Sequence, residues 1–413
     1  MKRSSTPFKP CAFLWDESFL WGLMAFSALK SAGLPFNLVR SEDIRNGILH
    51  DCSMLFVPGG WASNKLKALG EEGIREVRNF VGGGGSYLGF CGGAGLATLD
   101  GIGLLNISRV PTKDRIPSFS GRIEIHLDNH TIWSGLDRTA AVFNAWWPSQ
   151  FSINDPSVNM IAKYEEALPD SFSSDLNVGA VLKHAGNWKA LEHSYGINLD
   201  PSRLLGEPAV VEGSYGKGKV IISLIHFDTP DDLNGAIVLK NIWRYVSGRE
   251  ELKRGSVKVR KVKSVKPQVL NEIMTSTEEL ICFGERNFLW FWRNPMLLQW
   301  RRGIRGLEYC TLYGMIRAIT KQADCIPLDA ATTGEKLNSI AGLLMPFKEK
   351  AERLLFLERQ AMANGRITYE KCDDPEIQRL RTELFSTSKS YGGLFKQLLD
   401  EIDRVVFDLL KVA

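Results

Sequence analysis

Gly84-Gly85-Ser86-Tyr87-Leu88-Gly89-Phe90-Cys91-Gly92-Gly93-Ala94 is the stretch that decides the fold. Ser86–Phe90 is a short run of β-formers, and Gly93–Leu99 reads as a short helix that follows at once. Between them stands a glycine-flanked cysteine in the pattern G-x-nucleophile-x-G. The spacing has a steric reason. A nucleophile on a sharp strand-to-helix turn needs neighbours without side chains, so that the chain can bend and a substrate can approach. The helix start supplies free N–H groups and a favourable dipole for a thiolate and for a developing oxyanion. Gly92 is placed to donate one such N–H.

Working outward, the first 250 residues alternate short apolar runs with helical ones. Cys11–Trp15, Phe36–Arg40, Met54–Val57 and Ser86–Phe90 read as strands. Phe19–Ala32, closed by Gly33 and Pro35, and Glu71–Val81 read as helices. Such alternation predicts βα units and a mostly parallel sheet with flanking helices. Arg122–Leu127, Ala140–Phe143 and Val220–Ile225 add strands, some of them antiparallel.

A thiol nucleophile needs a proton acceptor. Ser223-Leu224-Ile225-His226-Phe227-Asp228 closes the run Val220–Ile225. His226 then falls just past a strand end, at the sheet edge of the elbow if the strands are parallel. Residues two apart in an extended chain point the same way, so Asp228 can orient the imidazole as the third member of a triad. Pro58-Gly59-Gly60 ends another strand. Its Gly59 and Gly60 N–H groups, with that of Gly92, are the candidate oxyanion donors. The site expected is therefore Cys91, His226 and Asp228 for catalysis, and Gly59, Gly60 and Gly92 for the oxyanion.

Phe56–Gly60, Gly84–Ala94, the Phe143-Asn144 strand end and Gly216–Val220 leading to Ser223 and His226 together resemble the class I glutamine amidotransferase-like superfamily. The similarity is greatest to the amidotransferase-like N-terminal domain of biotin–protein ligases, and it spans residues 8 to 250. The resemblance implies a flavodoxin-like α/β fold, a cysteine–histidine–glutamate triad and glutamine as the amide substrate. Asp228 stands where the family carries glutamate, one methylene shorter. No Gly-Arg-Gly-Arg-like biotinyl-adenylate loop follows residue 250, and no synthetase domain that would consume ammonia is recognisable.

The 413 residues allow two or three domains, and 44% hydrophobic content suits a large buried core. Seven cysteines without tight spacing exclude a disulfide scaffold and suit a reducing compartment. No uninterrupted apolar run is long enough to span a bilayer, and Asp16 and Glu17 interrupt a signal-like start. The chain reads as soluble and cytoplasmic. Net charge is +4, while Arg249–Lys266 alone holds eight Lys/Arg against two Glu. The remainder is near neutral, which speaks against nucleic acid as a partner.

Residues 1–250 are thus expected as the amidotransferase-like domain, 251–266 as a basic linker and 267–413 as an all-α domain of unknown function. Leu337, Ile340, Leu344, Phe347, Ala351 and Leu354 form one amphipathic stripe, in which Pro346 is expected to kink or break the helix. Leu394, Leu398, Ile402, Val405 and Leu409 form another. The aromatic and basic stretch from Phe288 to Arg302 reads as a core helix with arginines at its ends rather than a membrane surface. Gly213–Lys219 has P-loop spacing, but Val220 replaces the Mg²⁺-binding hydroxyl and a strand follows, so it reads as a turn. His126 and His130 straddle an Asp128-Asn129 turn, and Cys282, Cys310 and Cys325 lack zinc spacing. No metal and no cofactor are expected. Two functions follow: a cysteine-dependent amidase or glutaminase acting on a small amide, or a non-catalytic regulatory module that docks a protein partner through its helical domain.

Overall fold

The computed structural model describes residues 9–136, 140–247, 267–325, 330–365, 372–387 and 390–412. The chain divides into two compact units, Met1–Ser256 and Val257–Ala413. The expected basic linker, 251–266, lies outside the described residues.

In the first unit, β1 (Cys11–Leu14), β2 (Phe36–Val39), β3 (Met54–Val57) and β4 (Ser86–Phe90) are joined by parallel pairing. Every residue of β1, β3 and β4 is buried, as expected of parallel strands covered on both faces. The covering helices are α1 (Phe19–Ser31), α2 (Ala62–Gly82) and α4 (Leu233–Ser247). α1 is apolar all round and buries Phe19 through Ala25 without interruption, so it is a core helix rather than a surface one. α2 is two helical runs joined at Gly70, whose φ of 64° only glycine adopts cheaply. Trp243 of α4 meets Phe56 of β3 edge-on at 5.9 Å.

Beyond β4 the sheet continues through β9 (Gly218–Ser223), β8 (Pro208–Tyr215), β7 (Asn159–Ala167) and β5 (Phe119–Leu127), with β6 (Ala140–Trp146) paired to β5. β9 is parallel to β4, with Ser223 opposite Phe90, and every later pairing in this half is antiparallel. Tyr215 and Gly218 are the last partners of the β8–β9 hairpin, so the P-loop-like glycines form a turn. This parallel register is what brings residue 226 to the edge that carries residue 91.

The second unit is helical: α5 (Gln268–Arg286), α6 (Gly306–Ala323), α7 (Ala330–Ala363), α8 (Pro375–Phe385) and α9 (Gly393–Lys411). The stripe Leu337 to Leu354 is buried as expected. Leu398, Ile402, Val405 and Leu409 are buried in α9, where Phe395 rather than Leu394 begins the core face. Phe385 stacks among Tyr309, Phe347 and Phe395 at 5.9, 6.0 and 5.9 Å.

Two sequence expectations fail here. α7 continues through Pro346 without a break. Pro346 is exposed, and the carbonyl it leaves without a donor belongs to Gly342, also exposed, where water can satisfy it. The aromatic stretch is a hairpin, β10 (Trp290–Asn294) and β11 (Leu297–Trp300), not a helix. Asn294 makes the turn: its Oδ1 accepts the N–H groups of Met296 and Leu297, both at 2.9 Å.

Candidate active site

The elbow follows from two close approaches of backbone. α3 (Gly92–Leu96) starts immediately after Cys91 and is shorter than the helix read from the sequence. A β-carbon on Gly92 would collide with the Gly60 carbonyl oxygen, and one on Gly93 with that of Val57. Glycine at both positions therefore lets the Pro58–Gly60 turn sit directly against the elbow. Cys91 itself has φ 49° and ψ −104°, a conformation that costs a β-carbon-bearing residue about 1–3 kcal/mol. The surroundings hold it there. Its N–H donates to Ser223 O at 2.8 Å, and its carbonyl accepts Gly95 N at 2.9 Å. The Tyr87 hydroxyl, buried beneath the turn, donates to Gly93 O at 2.7 Å.

Strand β9 ends at Ser223, and the chain carries His226 and Asp228 across the same edge. Both side chains are fully buried, with His226 Nδ1 2.8 Å from Asp228 Oδ1. Among the described residues the other ring nitrogen, Nε2, has no hydrogen-bond partner, nor has Asp228 Oδ2. Burial disfavours a charged imidazole, yet the charge and hydrogen bond of Asp228, with the Cys91 side chain nearby, push His226 up to about 10. The backbone of this segment is stapled to the end of β6. His226 N donates to Asn144 O at 2.8 Å, Thr229 Oγ1 donates to His226 O at 3.2 Å, and Trp146 Nε1 donates to Thr229 Oγ1 at 3.1 Å.

The structure thus brings Cys91, His226 and Asp228 to one edge, with Gly60 and Gly92 in contact beside them. Gly59 lies under Trp21, whose Cγ would be 3.0 Å from an added β-carbon. Outside helix and sheet ladders, Gly59, Gly60 and Gly92 N–H groups donate to no backbone acceptor among the described residues. As the first residue of α3, Gly92 has no intrahelical acceptor either. Cys91 Sγ is 3.9 Å from Trp146 O and is partly exposed, so a small molecule can reach it. His126 and His130 serve other partners: His130 Nε2 is 3.1 Å from Glu212 Oε2, and His126 lies by Asp128 and Glu165.

Sequence reasoning missed the aromatic wall. Trp21 covers the His226 ring at 5.1 Å between centroids, and Trp147 meets Trp21 edge-on at 6.1 Å. Trp147, like Cys91, has positive φ, here 49°. No spacing signal links residue 21 to residue 226, since only the order of strands places α1 beside the elbow. The Asn144–Trp147 strand end was readable as a strand but not as a wall of the site.

The first unit is thus an α/β unit with a cysteine on a strand-to-helix turn at the carboxyl edge of parallel strands. Residues 44–100 match the family model described as the N-terminal domain of biotin-protein ligase, a segment holding both Pro58–Gly60 and Gly84–Ala94. Over that stretch the similarity read from the sequence to class I amidotransferase-like proteins holds. No curated protein matches the chain in sequence. Among solved structures, one titled glutamine amidotransferase has 18% identity and TM-score 0.37, covering 58% of this chain and 99% of its own. PurLQS from Thermotoga maritima has 16% identity and TM-score 0.40, over 58% of this chain and 100% of its own. A β-galactosidase from Bacillus circulans sp. alkalophilus has 13% identity and TM-score 0.35, over 58% of this chain and 31% of its own. Those names span more than one chemistry, and none assigns a reaction to this chain.

Proposed function

We propose that the protein is a cysteine-dependent amidase acting on a small carboxamide, with glutamine as the substrate the resemblance favours. The observation that carries the reading is a strained, partly exposed Cys91 beside a buried His226–Asp228 pair whose outer ring nitrogen is left without a partner. A buried polar atom with no partner costs about 1–3 kcal/mol, and an arriving substrate or leaving group relieves that cost. With His226 pushed up to about 10, the ring carries both protons at neutral pH and can serve as the general acid.

The Cys91 thiolate attacks the amide carbon, and the carbonyl electrons move to oxygen. Gly92 N–H and the Gly59–Gly60 turn hold that oxyanion. As the C–N bond breaks, His226 Nε2 gives its proton to the departing nitrogen, so ammonia leaves and a thioester remains on Cys91. The now neutral His226 takes a proton from water, whose oxygen attacks the thioester. Collapse releases the carboxylic acid and restores the thiolate–imidazolium pair. Asp228 holds the ring and supports its charge throughout. We place this chemistry in a domain of residues 1–250, in the reducing cytoplasm, with 251–266 joining it to a helical domain of residues 267–413 that docks a protein partner. Among the described residues no helix is long and apolar enough to cross a membrane.

The test is ammonia release from glutamine and a panel of small amides, comparing wild type with Cys91→Ala. Release that depends on Cys91 supports the reading. Equal background release from both overturns it in favour of a non-catalytic module on the same fold.

A further inference from the structure

Lys65 takes no part in the steps above, and its place runs against two electrostatic preferences. It is fully buried, as lysine seldom is, and it is the fourth residue of α2, near the positive end of that helix's dipole. Its ammonium ties down one loop: Nζ donates to Asp16 O at 3.0 Å and to Ser18 Oγ. These two acceptors bracket Glu17. The loop is strained, with φ 56° at Glu17 and 45° at Phe19. Asp16 is anchored from its other side, its carboxylate accepting Arg40 Nη1 at 2.8 Å and Ser41 N at 2.6 Å. Two parts of the site rest on this loop. A β-carbon added to Gly60 would stand 2.3 Å from Glu17 O and 3.2 Å from Lys65 Cε, so the loop and the lysine both abut the Pro58–Gly60 turn. Trp21, three residues past Ser18, covers Gly59 and the His226 ring.

We infer that Lys65 is a positioning residue for the oxyanion turn: by fixing the Asp16–Ser18 loop, it sets where Gly59 and Gly60 stand against the elbow. This rests on the reading of Cys91 as a nucleophile. Gly60 is held between two walls. On one side its carbonyl oxygen would lie 1.8 Å from a β-carbon added to Gly92, and on the other stand Glu17 O and the Lys65 side chain. Close-packed backbone has little slack, so a shift of the loop is passed on to the turn. A neutral side chain of similar length would fill the space of Lys65 without holding the two oxygens, and the strained Glu17 and Phe19 would relax. Oxyanion donors act only at about 2.7–3.1 Å from the developing charge, and a misplacement of about 1 Å costs on the order of 10²-fold. That sensitivity is a reason for the fold to bury an ammonium where an apolar side chain would be cheaper to place.

The probes are two electrophiles that a thiolate attacks by different routes, applied to the full chain and followed at each cysteine by mass spectrometry. With p-nitrophenyl acetate the sulfur bonds to the carbonyl carbon and charge passes to the carbonyl oxygen. Its return breaks the ester C–O bond, p-nitrophenolate leaves and an acetyl thioester remains. With iodoacetamide the sulfur bonds to the methylene carbon and iodide leaves, so no oxyanion forms. Exposed Cys282 is the internal reference for both. In Lys65→Met the acetylation rate of Cys91 should fall by about 30-fold or more, while its iodoacetamide rate stays within about twofold of wild type. Ser18→Ala removes one of the two acceptors and should lower acetylation about threefold, which carries the test if Lys65→Met does not fold. Variants that slow both reagents equally, or slow neither, overturn the positioning role and leave the nucleophile standing. Wild-type Cys91 that reacts with neither reagent faster than Cys282 overturns the nucleophile reading and this inference with it.

Discussion

Each unit of the chain buries an acid–base pair, and the two pairs are finished differently. In the helical unit Arg381 Nε donates to Glu358 Oε1 at 2.7 Å while its Nη2 donates to Gly303 O at 2.9 Å, and Arg305 pairs with Glu308 at 2.8 Å alongside. Those contacts tie α8 to α7 and to the turn before α6, spending the donors on structure. In the N-terminal unit the His226–Asp228 pair is buried more deeply, yet among the described residues His226 Nε2 and Asp228 Oδ2 have no hydrogen-bond partner, and a partly exposed thiol stands next to the ring. A pair completed by its own fold serves stability. A pair left with a spare donor beside an opening is arranged for something that arrives from outside.

The sharpest way to break this contrast is Cys91→Ala. Ammonia release should fall by on the order of 10⁴-fold or more, to the uncatalysed level, with the melting temperature nearly unchanged. Asp228→Asn should cost on the order of 10³-fold because the ring loses its orienting charge, whereas Asp228→Glu should keep activity within about tenfold. Steady-state kinetics on each variant decides both. Gly92→Ala should lower stability by about 3 kcal/mol in urea titrations, because the new methyl meets the Gly60 carbonyl in a turn with no room to move.

The smallest effects are in pH, and they separate the units. His226 is raised from 6.5 to about 10, so its contribution to stability is whole below pH 6.5 and is lost as pH rises through 10. Glu358 is pushed by burial, against the pull of Arg381, from 4.5 to about 7. Its contribution is therefore whole below pH 4.5 and is lost as pH rises through 7. Hydrogen exchange of core amides should show the helical unit loosening in the lower window and the N-terminal unit in the upper one. Glu358→Gln should flatten the first, a change of about 1 kcal/mol, and His226→Gln the second.

The parallel half of the sheet was legible because its signals are local. Met54–Val57 and Ser86–Phe90 are continuous apolar runs ended by glycine, and a G-x-C-x-G turn between strand and helix admits few other geometries. The shared sheet edge of residues 91 and 226 was legible too, since a parallel β4–β9 register puts both past strand ends. What could not be read was set by tertiary contact or by turns inside apolar sequence. Trp21 reaches His226 only through the strand order. The Phe288–Arg302 stretch looked helical because its aromatic residues hid an Asn294 turn. Pro346 misled because its effect depends on exposure, which sequence does not state.

Activation of Cys91 by His226 can be read from site-resolved alkylation at pH 7. Cys91 should react with iodoacetamide about tenfold faster than the more exposed Cys282 in wild type, and no faster than Cys282 in His226→Ala. A Cys91 no more reactive than Cys282 in wild type, or one equally fast without His226, would contradict it.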